Sequence, residues 1–541
     1  MNCHCIPFND IPHTTRLFTD YLYNFSRVSE FYAYPPFEDD SFLKAARAIQ
    51  YEAETRRQVV AVLREQNQSL SASDKTRENL SKLEDPACVA VVTGNQPGLF
   101  SGPAFTIYKG LSAIKTAEHL SSRGLLAVPV FWVATEDHDL AEVNHCFVQD
   151  RAGNPQRLSY TAEAPVEGSP VGAIPLTDEI LPLLETLRAM LPDSASGEEL
   201  LATVAECYQP GKNFGTAFGQ MISRLFAEFG MVLLDPMDSR LHNLCAGIFQ
   251  TAIDSAPAIL SDLIARNQRL AAAGYHHQVH VSDSSSLLFV VVDGQRRALR
   301  LRDGRFVTAQ GDSYSPQELR MQLERHPETL SANVLLRPIM QDALLPTVAY
   351  VGGPSELAYM AQAGAVYHRI LGRMPVMLPR ASITILDGVS HKLLSKYGLT
   401  LVDVLSGKQA LRDRMAARLL PSDLSESFRK ATVHLDADLH AIQASLANLD
   451  RTLVDAAAHS ASKMHYQLST LEHKAATAVQ HRTDQIERDA LRLENNLFPA
   501  KTQQERLYSG ISLLSQYGQG FLHELYEHIP RYASQHQLME L

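Results

Sequence analysis

Thr135, Glu136, Asp137, His138 and Asp139 follow directly on the apolar run FWVA at 131–134. An imidazole flanked by carboxylates can act as a general base, as a metal ligand, or as a donor to developing negative charge. A helix start decorated with acids would explain Glu136 and Asp137 through the helix dipole, but it leaves His138 without a purpose. We therefore read Asp137 and His138 as candidate catalytic groups and Glu136 as a candidate substrate contact. A second stretch, VVTGNQPGLFSGPAFTIYK at 91–109, ends a β-branched run and spaces Gly94, Gly98 and Gly102 at steps of four. Pro103 then opens a helix, where its missing N–H costs nothing. A strand, a glycine loop and a helix N-terminus together can bind phosphate or carboxylate; the plainer alternative is a tight turn that binds nothing. Thr93, Gly94, Gln96, Gly98 and Gly102 are the candidate nucleotide- or anion-binding residues of this loop. The same junction recurs at Val351-Gly352-Gly353-Pro354-Ser355-Glu356, which adds Gly353 and Ser355.

Arg337 and Arg380 each sit just past an apolar run, where a planar guanidinium fork suits carboxylate or phosphate. With Glu356, which can orient an amine or a magnesium ion, they complete the candidate substrate contacts. Lys109 lies two turns into the helix, too deep for a P-loop lysine, and G-x-x-x-x-G-K-[ST] is absent. G-x-S-x-G, H-E-x-x-H and C-x-x-C are absent too, which leaves serine hydrolase, zincin and thioredoxin-like chemistry unsupported. Cys3-His4-Cys5 offers half a metal site on a terminus expected to be mobile. His276, His277 and His280 read as solvent-facing strand residues, and Trp132 as core.

The elements that must position these groups alternate strand and helix. ACVAVV, a helix at 104–122 and AVPVFWVA (127–134) are followed by GMVLLDP (230–236) and a helix at 238–270. NVLLRP (333–338), LPTVAYV (345–351) and PVMLP (375–379) resume the buried-strand pattern. Strand runs apolar on both faces imply a parallel sheet covered by helices on both sides. Right-handed crossovers then bring the strand ends to one edge, where open α/β sheets bind ligands. Between 276 and 310 the period changes to two, with Asp293-Gly294 and Asp303-Gly304 as hairpin turns. No Gly or Pro occurs between Pro421 and Pro499. Leu435, Leu439, Ile442, Leu446, Leu449 and Leu453, and then Met464, Leu468, Leu471, Ala475 and Ala478, mark an a/d seam. A phase shift predicts two antiparallel helices with a turn within 448–460.

The domains expected are an N-terminal helical region (1–86) and a Rossmann-like core (87–390) with insertions at about 145–228 and 272–330. A helical region (391–499) with a coiled coil at about 423–498 follows, then a segment (500–541) packing on the core. The 541 residues, 45% hydrophobic, suffice for a large core. A net charge of −11 argues against nucleic-acid or anionic-membrane binding. Six scattered cysteines, no signal-peptide pattern and no long apolar run point to a reduced, soluble, cytoplasmic protein.

Several long motifs in order resemble the BshC family, the cysteine-adding enzymes of bacillithiol biosynthesis: TGNQPGLFSGPAFTIYK, FWVATEDHDLAEVNH, RPIMQDALLPTVAYVGGPSELAYM (337–360), VMLPRASITIL (376–386) and QERLYSGISLLSQYG (504–518). The resemblance implies a Rossmann-like core related to the nucleotidylyltransferases and a coiled coil that promotes homodimerisation. It also implies amide-bond formation between the carboxyl of cysteine and the amine of glucosaminyl malate. Such a ligase is expected to use ATP, with or without magnesium, through an acyl adenylate or acyl phosphate, and to hold no tightly bound metal. The nucleotidylyltransferase H-x-G-H tetrad corresponds to Phe100-Ser101-Gly102-Pro103, which lacks both histidines. The rival readings are a metal-dependent hydrolase built on Glu136-Asp137-His138-Asp139 and a nucleotide-binding coiled-coil scaffold.

Overall fold

The computed structural model describes every residue except 1, 164–165, 419–421, 451 and 481–483. Its centre is a five-stranded parallel sheet in the order Val376–Pro379, Thr347–Gly352, Val89–Asn95, Ala127–Val133, Val232–Leu234. The period of two in these strands divides their side chains between two cores. Ala90, Val92, Val128, Val130 and Trp132 pack into one, and Val89, Val91, Phe131 and Val133 into the other. Helix Phe105–Ser122 closes the second face with Ile107, Leu111 and Ile114. Helices Ala53–Ser69 and Pro354–Ile370 close the first with Val59, Leu63, Leu357 and Met360.

The order of the strands decides where a ligand can sit. From Val89–Asn95 the chain moves outward through Ala127–Val133 to Val232–Leu234. It then returns to the opposite side of Val89–Asn95 with Thr347–Gly352. The crevice between Val89–Asn95 and Thr347–Gly352 is therefore the topological switch point, and the helices that follow these strands diverge to opposite faces.

Both expected hairpins are present. Asp293 and Gly294, and Asp303 and Gly304, all have positive φ, as tight primed turns require. They belong to an antiparallel sheet that also includes Leu330–Ala332. NVLLRP is not a parallel strand, because Leu336 already turns into helix Arg337–Leu344 and Asn333 Oδ1 accepts from the Leu335 and Leu336 N–H groups. The helix expected at 238–270 is three helices, Ser239–Leu244, Ala246–Asp254 and Ala256–Ala272. Pro257 opens the last of them.

The N-terminus differs most from expectation. Asn2–Pro7 is a strand, antiparallel to Gln535–Glu540, which in turn runs parallel to Ser382–Leu386. The CHC motif thus lies on a sheet edge. The C-terminal segment packs on the core: Glu505 accepts from Arg380, Ser382 and the Ile383 N–H, and the Gln504 Oε1 accepts from the Ile385 N–H.

Helices Ser422–Leu449 and Thr452–Gln480 form the expected antiparallel pair. His465 pairs with Asp436 across the two helices at 2.9 Å, and His473 pairs with Asp413 of helix Lys408–Arg418 at 3.3 Å. No helix among the described residues is long and apolar enough to cross a membrane.

Candidate active site

A cavity of about 690 Å³ opens at the switch point. Residues from distant stretches meet in its wall: Gly94 and Gln96, Glu136 to His138, Arg337, Gly353, Ser355 and Glu356, and Arg380. Thr93, Gly98 and Gly102 fall outside it. Thr93 is buried in the sheet and donates to the Val351 carbonyl at 2.9 Å. Gly98 and Gly102 pack against each other, a Cβ on Gly98 lying 2.7 Å from the Gly102 Cα, and Gly102 has φ +66°. Nor is the start of helix Phe105–Ser122 open to an anion. The Ala104 N–H donates to the Tyr508 carbonyl at 2.8 Å, and the Gly102 carbonyl accepts from the Gly510 N–H. The glycine steps of this loop thus serve close packing, and the C-terminal segment covers the site expected for phosphate.

The second glycine–proline junction is also engaged by the protein. Glu356, at the third position of helix Pro354–Ile370, reaches back and accepts from the Gly353 N–H at 2.8 Å. Its other oxygen accepts from the Tyr350 hydroxyl at 2.6 Å. Lys109 faces the same carboxylate at 2.6 Å and donates to the Gly94 carbonyl at 2.8 Å. Helical side chains lean toward the N-terminus, so a lysine in the second turn reaches back to the strand end. Burial pushes the Lys109 ammonium below its usual range, with Glu356 opposing. Burial would raise the Glu356 carboxyl, but Lys109 and the Gly353 N–H outweigh it and hold it low. This pair joins the two helices at the crevice and was not expected from the sequence, where Lys109 was set aside.

Two arginines flank the pair. Arg337 donates to the Tyr359 hydroxyl at 2.8 Å. Arg380, only 4% exposed, donates to Glu505 at 2.8 Å and to the Ala381 carbonyl at 2.7 Å. Nothing in the sequence paired Glu505 with Arg380, since the two lie 125 residues apart.

At the neighbouring strand end the four polar residues turn to four different partners. Glu136 faces the buried His242 at 3.0 Å. Asp137 accepts from Gln96 at 2.8 Å and from the His138 N–H at 2.7 Å. Asp139 caps the short helix Leu140–Val143 through the Glu142 N–H. The His138 Nδ1 lies 3.1 Å from Arg296, which projects from the antiparallel insertion. Among the described residues no group of three or more His, Cys, Asp and Glu side chains is placed to hold a metal ion. The four ligands of the hydrolase reading are thus not gathered on one point, since Glu136 turns to His242 and Asp139 to its own helix start.

The profile of the N-terminal Rossmann-like domain of bacillithiol biosynthesis BshC matches residues 1–381, and that of its C-terminal coiled-coil domain matches 383–541. The chain belongs to the BshC family. A relative from Solibacter usitatus is 40% identical over 539 residues, covering all of both chains. One from Koribacter versatilis is 40% identical over 516 residues, 95% of each, and one from Salinibacter ruber 33% over 529 residues, 97% of this chain and 96% of its own. Each carries the name "Putative cysteine ligase BshC". The boundary between the two BshC domains, at 381–383, falls just after Arg380. The coiled-coil domain therefore supplies Glu505 to a cavity residue of the Rossmann-like one.

Proposed function

We propose that this chain is a cytoplasmic ligase that joins the carboxyl of cysteine to the amine of glucosaminyl malate, driven by ATP. The observation that supports it most is the convergence of Lys109, Arg296, Arg337 and Arg380 with Asp137 and His138 on one switch-point cavity. A free carboxylate does not condense with an amine in water, so cysteine needs a leaving group on its carboxyl, which ATP supplies. The cationic side chains suit the malate carboxylates and the phosphates, and Ser355 offers a hydroxyl at the same wall. The proton of the attacking amine passes to the 137–138 pair. Magnesium, where used, would arrive with the nucleotide.

The test is direct. Purified protein incubated with ATP, cysteine and glucosaminyl malate should yield the thiol amide, read by mass spectrometry. Asp137→Asn should slow it by at least about a hundredfold, the usual scale of a lost general base. Retained ATP binding with no product from the native chain would favour the scaffold reading instead.

The coiled coil, in this reading, pairs two copies. Ile442, Leu449 and Leu471 are 51%, 77% and 57% exposed on the helix pair, more apolar seam than one hairpin covers. Leu446→Asp with Leu449→Asp should halve the mass seen by light scattering; an unchanged mass would refute the pairing.

A further inference from the structure

His138 carries two ring nitrogens with different surroundings. The Nδ1 is 3.1 Å from an Arg296 guanidinium nitrogen. A guanidinium has donors only, so the Nδ1 must accept, and an accepting Nδ1 leaves the ring proton on Nε2. The Nε2 makes no protein hydrogen bond among the described residues, and the ring lines the cavity. Arg296 is itself held from three sides. It donates to the Ser331 hydroxyl at 2.8 Å, donates to the Ala332 carbonyl, and lies 3.8 Å over the Phe289 ring. Phe289 also flanks His138, with ring centroids 5.6 Å apart. The guanidinium therefore cannot swing away and leave the imidazole to take up a second proton. The other charges facing the ring are Asp137, 3.8 Å from the Nδ1, and Asp139.

We infer that Arg296 is a positioning residue that locks His138 as the neutral imidazole protonated on Nε2. His138 is thereby a hydrogen-bond donor to an anionic oxygen of the substrates, a carboxylate or a phosphate, and not a base. This deepens the ligase reading and rests on it for the substrates. The proton of the attacking amine then goes to the Asp137 carboxylate as the new C–N bond forms and the bond from the cysteine carbonyl carbon to its ATP-derived leaving group breaks, the phosphate or adenylate departing with the electron pair. A neutral donor at this place strengthens its hydrogen bond as negative charge grows on the oxygen it faces, without the desolvation cost of a second buried cation. Burial and Arg296 together hold the His138 imidazole below its usual range, against the pull of the two aspartates.

Histidine-labelled full-length protein tests the tautomer by nitrogen-15 NMR, with His138→Asn identifying the signal by its loss. The wild type should show the neutral Nε2–H pattern at pH 7 and keep it through pH 6. Arg296→Met should raise the titration of this ring, because burial alone then opposes the pull of Asp137 and Asp139. The acid limb of the kcat/KM profile should move up with it. A wild-type ring protonated on Nδ1, or doubly protonated at pH 7, would overturn the inference, and this reading holds even if Arg296→Met fails to fold. Malate and inorganic phosphate, added separately, should shift the Nε2–H signal for whichever oxygen class it faces; no shift with either would overturn the donor role. None of these spectra depends on product formation, so an inactive protein with the expected tautomer would fail the ligase reading alone.

Discussion

Lys109→Met should slow product formation by about a hundredfold or more and lower the denaturation midpoint. Adding Glu356→Gln should restore the midpoint without restoring the rate. Lys109 is 5% exposed and offers its ammonium to Glu356 at 2.6 Å and to the Gly94 carbonyl at 2.8 Å. Methionine keeps the stem and removes the charge, which strands the Glu356 carboxylate beside the cavity. Breaking a buried pair in this way costs about 3–5 kcal/mol; the lower end applies because Glu356 keeps 19% exposure. A neutral amide at 356 can still accept from the Gly353 N–H and removes the stranded charge, so stability returns. The rate does not return, because the cavity has lost one of its cations and the tie between its two helices. A double variant no more stable than the single one would show that the pair is not what Lys109 contributes.

Acid should begin to weaken the seating of the C-terminal segment on the core before ordinary carboxylates titrate. His536 sits between two hydroxyls, its Nδ1 2.8 Å from Ser382 and its Nε2 3.0 Å from Thr384. Burial lowers its pKa to about 4, with Glu505 opposing and Arg380 assisting. The folded value lies below the unfolded one near 6.5, so the unfolded chain binds the extra proton first. Stability from this residue is complete above about pH 6.5 and is lost as pH falls toward 4. The loss reaches roughly 3 kcal/mol at about 1.4 kcal/mol per pH unit. Arg380 and two hydrogen bonds hold Glu505 low against burial, and its share goes only at still lower pH. Denaturant midpoints between pH 7 and 4.5 should therefore fall steeply in the native chain. They should fall less in His536→Gln, and equal slopes would refute the assignment.

The parallel core was legible because its strands are apolar on both faces and alternate with helices. The hairpins were legible because Asp-Gly supplies two positive φ values in sequence. Local pattern failed where a partner far along the chain decides the structure. Asn2–Pro7 is a strand only because Gln535–Glu540 lies beside it, and NVLLRP has strand-like residues that Asn333 turns into a helix start. The candidate site divides in the same way. The acids and histidine at 136–138, and the arginines past their apolar runs, could be found from residue type and position. Arg296 and His242 join the site through tertiary packing and carry no motif, while Glu505 lies in QERLYSGISLLSQYG with nothing local to name Arg380 as its partner. The glycine steps misled because close packing and anion binding demand the same residue. Only the covering chain at 508–510 separates the two.

The pairing of Asn2–Pro7 with Gln535–Glu540 sets a timetable on the ribosome. The first strand emerges with its edge groups unmatched, and its partner is synthesised about 530 residues later. At roughly 5–20 residues per second that interval is about half a minute to two minutes. Throughout it, a segment bearing two exposed thiols, Cys3 and Cys5, waits as an open template for any passing strand. The three-stranded sheet of Asn2–Pro7, Gln535–Glu540 and Ser382–Leu386 thus closes only after the strands of the parallel core have all been made.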